Sequence, residues 1–170
     1  MIKLLTLLIL LLTFSCQTES GKSAIPFQVE LLHSSGTIIK TKLAITDREQ
    51  EQGLSGVPSE EFGEDEGLLF FYLEDGEKNF WMPDTYFNLD IIYLDKEFKI
   101  LDIVRNLPFY KGRANLELVP RARAVWSRHA LEIKSGTQLS SKLQIGDTLN
   151  WKAQLKPNEV EEKIRQMSAQ

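Results

Sequence analysis

Thiol and imidazole chemistry is nearly absent from this sequence. Cys16 is its only cysteine, and His33 and His129 are its only histidines. A lone thiol forms no internal disulfide, so an exported form of the chain must be held by its own core. Catalytic zinc takes three protein ligands from His and carboxylate. Two histidines in distant segments, with no His pair at helical spacing, do not supply them, and neither a metal nor a cofactor is expected. A serine nucleophile is lacking too. Ser55 lies in Gly53-Leu54-Ser55-Gly56-Val57, which misses the second glycine position of a nucleophile elbow and reads better as a turn. No internal repeat and no nucleic-acid recognition motif is present, and no apolar run reaches the roughly 20 residues that cross a bilayer.

The apolar run that does exist is N-terminal. Met1-Ile2-Lys3 gives a short positive head, Leu4 to Leu12 an apolar stretch, and Ser15 a small residue before Cys16. This is the layout of a secretory leader, removed after export rather than kept as an anchor. The cysteine placed directly after the small residue resembles a bacterial lipoprotein signal, in which the thiol is acylated. The position three before the cysteine, usually Leu, is Thr13. Acyl chains contribute about 0.8 kcal/mol per buried methylene, so two or three anchor firmly. The expected organisation is a signal peptide over 1–15, a flexible tether over 16–25, a β domain over 26–155 and a short helix or tail over 156–170. The expected location is the bacterial cell envelope or periplasm, on a membrane through lipidated Cys16, with a small-molecule, glycan or protein partner and no nucleic acid.

The net charge is −4, unevenly spread. Acidic side chains dominate from Asp47 to Asp102. From Arg105 to Arg128 the chain carries Arg105, Lys111, Arg113, Arg121, Arg123 and Arg128 against Glu117 alone. The expectation is that these cations pair with the acidic segment or lie solvated. The acidic run Glu64-Asp65-Glu66 has oxygen ligands of the kind calcium takes, but not the spacing of a known loop.

Alternation and turn residues predict short strands over 27–31, 39–45, 67–73, 79–82, 89–94, 98–104, 129–133 and 148–155. Thr46-Asp47-Arg48-Glu49 has the form of a capping box, opening a short helix that Gly53 ends. Residues 136–143 hold a helical turn or two, and Val160, Ile164 and Met167 mark a terminal helix. The continuous apolar run of 67–73 implies a strand covered on both faces. About 140 residues of body suit one domain. The fold class expected is mainly β, a compact antiparallel sheet or barrel-like single domain with one or two short helices, because no helix is long enough for parallel crossovers.

Several segments resemble, in order, the family called domain of unknown function 192. They are Gly53-Leu54-Ser55-Gly56, Glu66-Gly67-Leu68-Leu69-Phe70, Phe80-Trp81-Met82-Pro83-Asp84-Thr85, Leu89-Asp90-Ile91-Ile92-Tyr93-Leu94-Asp95, Ala130-Leu131-Glu132-Ile133-Lys134-Ser135-Gly136 and Ile145-Gly146-Asp147. Val57 and Pro83 stand where the family often has basic residues. The resemblance implies a compact, mostly β domain with one short helix, often exported, and implies no activity.

The best site candidate is the stretch from Phe80 to Asp90. Trp81 offers a flat face and one N–H donor, suited to stacking on a sugar or ring. Met82 adjoins it, and Asp84 and Thr85 supply an acceptor and a hydroxyl. Asp90 sits in an otherwise apolar strand, where a carboxylate must be paired. Two readings follow: a ligand cleft floored by Trp81, or core residues and loop-fixing carboxylates. The functional expectation is a non-enzymatic ligand- or partner-binding β domain with no catalytic residue. The alternative is an enzyme acting on envelope glycans through Asp84 and Asp90, which needs the two carboxyls at a defined separation.

Overall fold

The structure, a computed structural model, describes residues 28–169. The leader, Cys16 and the 16–25 tether lie outside the described residues. The described strands are β1 (Gln28–Leu32), β2 (Ile38–Ala44), β3 (Glu66–Phe70), β4 (Gly76–Lys78), β5 (Leu89–Leu94), β6 (Ile100–Leu107), β7 (Val125–Ser127), β8 (His129–Lys134) and β9 (Asn150–Lys152). The α-helices are α1 (Asp47–Gln52), α2 (Gln138–Lys142) and α3 (Pro157–Ser168). Seven strands form one curled sheet in the order β6-β5-β8-β3-β2-β1-β9, and β4 pairs with β7 apart from it. Lys99 and Thr148 form an antiparallel bridge. The two edges of the sheet therefore meet at one end, which gives the mainly β, barrel-like domain that the alternation predicts.

Burial on two faces organises the fold. Leu31, Leu69, Ile92, Leu131 and α3's Val160 fill one core, and Phe70, Phe80, Met82, Leu89 and Tyr93 fill a second on the other side of the sheet. All six residues of β5 are buried. The central strands are thus covered on both faces, and a continuous apolar run is the pattern such strands take.

The capping box forms as read. Thr46 Oγ1 accepts from Glu49 N at 3.2 Å, and Glu49 Oε2 accepts from Thr46 N at 3.0 Å. Gly53 ends α1 at φ 50°. One expectation is corrected here: β2 and β3 pair in parallel, Lys40 opposite Glu66 through Ala44 opposite Phe70. Helix α1 is too short to cross the sheet alone, but the turns from 53 to 65 lengthen the connection to what a parallel crossover requires. The predicted strand over 79–82 is another correction. It is loop, tied by an isolated bridge of Trp81 to Arg121, and the strand of this region is β4 at Gly76–Lys78, just before it. The basic stretch behaves as expected at three positions. Arg105 pairs with Asp90 at 2.9 Å, Arg128 with Asp75 at 2.6 Å, and Arg123 with Asp102.

Candidate functional site

The loop after β4 is held by a strap running from Tyr110 to Ala122. Met82 N donates to Pro120 O at 3.1 Å, Asp84 N to Gly112 O at 2.9 Å and Thr85 N to Tyr110 O at 3.0 Å. This places the sequence-predicted residues in two groups. Met82 is fully buried in the second core. Thr85 is buried, its hydroxyl donating to Met82 O at 3.0 Å and accepting from Tyr110 N at 3.1 Å. Asp84, at φ 53°, accepts from Gly112 N at 3.1 Å, and its own carbonyl accepts from Gly56 N at 2.8 Å. Trp81 is half-buried, with the Arg121 guanidinium 5.1 Å from its ring centroid.

Asp90 is fully buried and lies where the β5–β6 register slips between Leu89 and Ile91. At that bulge Asn106 takes φ 52°, and its N–H, without a ladder partner, donates to Asp90 Oδ1 at 2.8 Å. Asp90 Oδ2 accepts from Arg105 Nη1 at 2.9 Å and from Ser140 Oγ at 2.5 Å. Both carboxylate oxygens are engaged in fixing the bulge and seating α2. Asp84 and Asp90 share no hydrogen-bond partner, and Asp90 is fully buried with both oxygens occupied.

What the structure does assemble beside Trp81 is a hollow of about 80 Å³. Gln50, Glu51 and Gln52 of α1 with Gly53, Leu54 and Ser55 form one side. Phe70, Tyr72, Asn79, Phe80 and Trp81 form the other, with Pro83, Thr85 and Leu89 nearby and Glu132 of β8 at the base. Glu51, Gln52 and Asn79 are exposed at its rim, whereas Glu132 is only 4% exposed. Glu132 Oε2 has no hydrogen-bond partner; the one other such buried side-chain atom among the described residues, Ser127 Oγ, does not line the hollow. Burial pushes the Glu132 carboxyl up to about 8, because removing a charge from water disfavours the ionised form. The Tyr72 phenol is pushed up to about 12 by burial, with Glu132 as the second cause. Gly53 allows this closeness: a Cβ there would lie 3.2 Å from Phe70 Cζ and 3.7 Å from Glu132 Oε2.

A larger groove of about 600 Å³ runs along β1, β2 and β9 past Glu30, Lys40, Lys42 and Lys152. Among the described residues, no buried side-chain atom without a hydrogen-bond partner lines it, so the chemistry points to the smaller hollow despite its size. The sequence reading singled out Trp81 and Thr85 but missed Glu132. The signal was weaker than for Asp90, because Glu132 alternates with Leu131 and Ile133 instead of interrupting a continuous apolar run.

Five of the six segments that carry the sequence resemblance contribute residues to this hollow; Ile145-Gly146-Asp147 does not. The sequence profile of domain of unknown function 192 (uncharacterised ACR) matches residues 30–151. The chain belongs to that family. The domain of unknown function 192 therefore takes in most of the sheet, the second core and the hollow, and stops before α3, whose Val160 and Ile164 complete the first core. Its fold is similar to a crystal structure of a protein of unknown function from Novosphingobium aromaticivorans DSM 12444. That match has 27% identity and a TM-score of 0.58, covering 74% of this chain and 85% of that one. A protein from Sinorhizobium meliloti 1021, provisionally described as a transcription regulator, is similar in fold alone. It has 24% identity and a TM-score of 0.58, covering 76% of this chain and 98% of that one. No curated protein matches the chain.

Proposed function

We propose that this chain is an envelope-tethered lipoprotein whose β domain is a non-enzymatic binding module, taking its ligand or partner beside Trp81. The observation that carries the binding role is the unpartnered, buried Glu132 carboxyl at the base of a hollow that opens beside a half-exposed indole. A buried polar atom without a partner costs about 1–3 kcal/mol, a cost that a bound group would relieve. The non-enzymatic part is supported by the hydroxyls lining the hollow. Ser55 Oγ donates to Pro83 O at 2.6 Å and Thr85 Oγ1 to Met82 O at 3.0 Å, so neither is poised as a nucleophile. The envelope address rests on the leader ending at Ser15-Cys16.

Native mass spectrometry of the lipidated protein, extracted from its own membranes, tests the site. The wild type is expected to retain a bound species that Trp81→Ala and Glu132→Gln lose while keeping the β signature in circular dichroism. Equal retention of every bound species by all three proteins would place the site elsewhere.

A further inference from the structure

The lining of the hollow defines the kind of group it suits. Among the described residues, no lysine, arginine or histidine lines it, whereas Glu132 and Glu51 do. The amide side chains of α1 already use N–H donors on backbone oxygens. Gln50 Nε2 donates to Ala44 O and Phe71 O, each at 3.2 Å, and Gln52 Nε2 donates to Ser55 O at 2.7 Å. Their carbonyl oxygens remain as acceptors. Four rings, Phe70, Tyr72, Phe80 and Trp81, complete the wall. Two of them already attract cations from outside: Lys78 Nζ lies 3.9 Å from the Tyr72 centroid and Arg121 lies over Trp81. Carboxylates, acceptor oxygens and π faces share one preference, for a positively charged donor. The volume admits a small head group, well below the 300–1,000 Å³ or so of a site for a whole drug-sized molecule.

We infer that the hollow receives a primary alkylammonium group, its N–H donors meeting Glu132 and the Gln50 and Gln52 carbonyl oxygens while its carbons face Phe70, Phe80 and Trp81. This rests on the binding reading above and names its ligand class. Binding carries a proton signature. The groups that sense Glu132 are the Tyr72 and Tyr93 phenols; Glu51 lines the exposed rim, Lys78 lies over the Tyr72 ring, and Lys134, two residues along β8, donates to Ser59 O and Phe62 O. Burial favours the protonated Glu132 carboxyl in the empty hollow. An ammonium seated against it favours the ionised form, so binding of the cation is accompanied by proton release to solvent.

The experiment is titration calorimetry of the full-length chain with methylammonium and ethylammonium, repeated in buffers of different ionisation enthalpy. Ethanol, acetamide and acetate serve as controls, and Trp81 indole NMR shifts locate the binding. The expected result is binding by the amines alone, net proton release at pH 7, and loss of affinity by about tenfold or more in Glu132→Gln. Proton release in the wild type keeps the test independent of whether the variant folds. If ethanol or acetamide shifts Trp81 and the amines do not, the ligand class is wrong and the binding hollow stands. If amines bind without proton release, or equally in Glu132→Gln, Glu132 is not their receptor. If no probe shifts Trp81, the inference and the binding reading fall together.

Discussion

Glu132 shows how one side chain can set a pH dependence for the whole domain. Its folded value of about 8 lies above the ordinary 4.5. Between those limits the folded state holds a proton that the unfolded chain has released. The corresponding stability is fully present below about pH 4.5, falls as pH rises, and is gone above about pH 8. His129 works in the opposite direction. Buried against Phe71 and Phe98, it is pushed down to about 3 from 6.5. Its contribution is whole above about pH 6.5 and lost as pH falls toward 3. Glu132→Gln should remove the first dependence and leave the second. Urea denaturation at about pH 5 and about pH 8.5 checks this. The wild type should lose up to roughly 4 kcal/mol more than the variant between the two, and parallel losses would show that Glu132 ionises freely in the fold. Glu132 was overlooked in the sequence because alternation places it opposite Leu131 and Ile133, on what looks like a solvent face. Only the loop and α1 packing over that face, a contact far away in sequence, turn it into an interior group.

Among the elements, the β5–β6 bulge and α2 depend on one carboxylate. Asp90 stands in for the missing ladder acceptor at Asn106 and joins Ser140 on α2 to Arg105, which also donates to Ser140 O at 2.8 Å and Leu143 O at 2.6 Å. Asp90→Ala leaves the Asn106 N–H without an acceptor. Arg105 is partly solvated and keeps its two carbonyl partners, so the cost falls short of that for breaking a fully buried pair. A loss of about 2–4 kcal/mol is expected, with Asp90→Asn milder because its amide oxygen can still serve Asn106. Chemical denaturation ranks the variants, and hydrogen exchange should show faster opening at Asn106 and α2. Unchanged protection there would deny Asp90 this role. Elements set by local rules were readable in advance: α1 from its capping box, β5 from its apolar run, α3 from Val160 and Ile164. The stretch from 105 to 128 was not, since β7 and the strap are fixed by partners such as Gly76, Trp81 and Pro83 rather than by any periodicity of their own.

For the molecule as a whole, the two cores are built from residues 29 onward, and the only thiol lies before them at Cys16. The proposed lipid anchor and the two cores therefore use different parts of the chain. The predicted barrel-like architecture was legible because many short alternating strands without long helices admit few alternatives. The parallel β2–β3 pair was hidden because its crossover is made of turns rather than a long helix. If Cys16 is an acylation site and nothing more, Cys16→Ser should abolish labelling by a fatty-acid analogue and release the protein from the membrane fraction. The same variant should unfold at the wild-type denaturant midpoint, because a surface anchor adds no contact to either core. It should also bind methylammonium as the wild type does. Equal labelling of both proteins would refute the tether. Lost labelling with a lowered midpoint would show that the lipidated segment takes part in the fold, and the hollow beside Trp81 would then have to be understood with that segment in place.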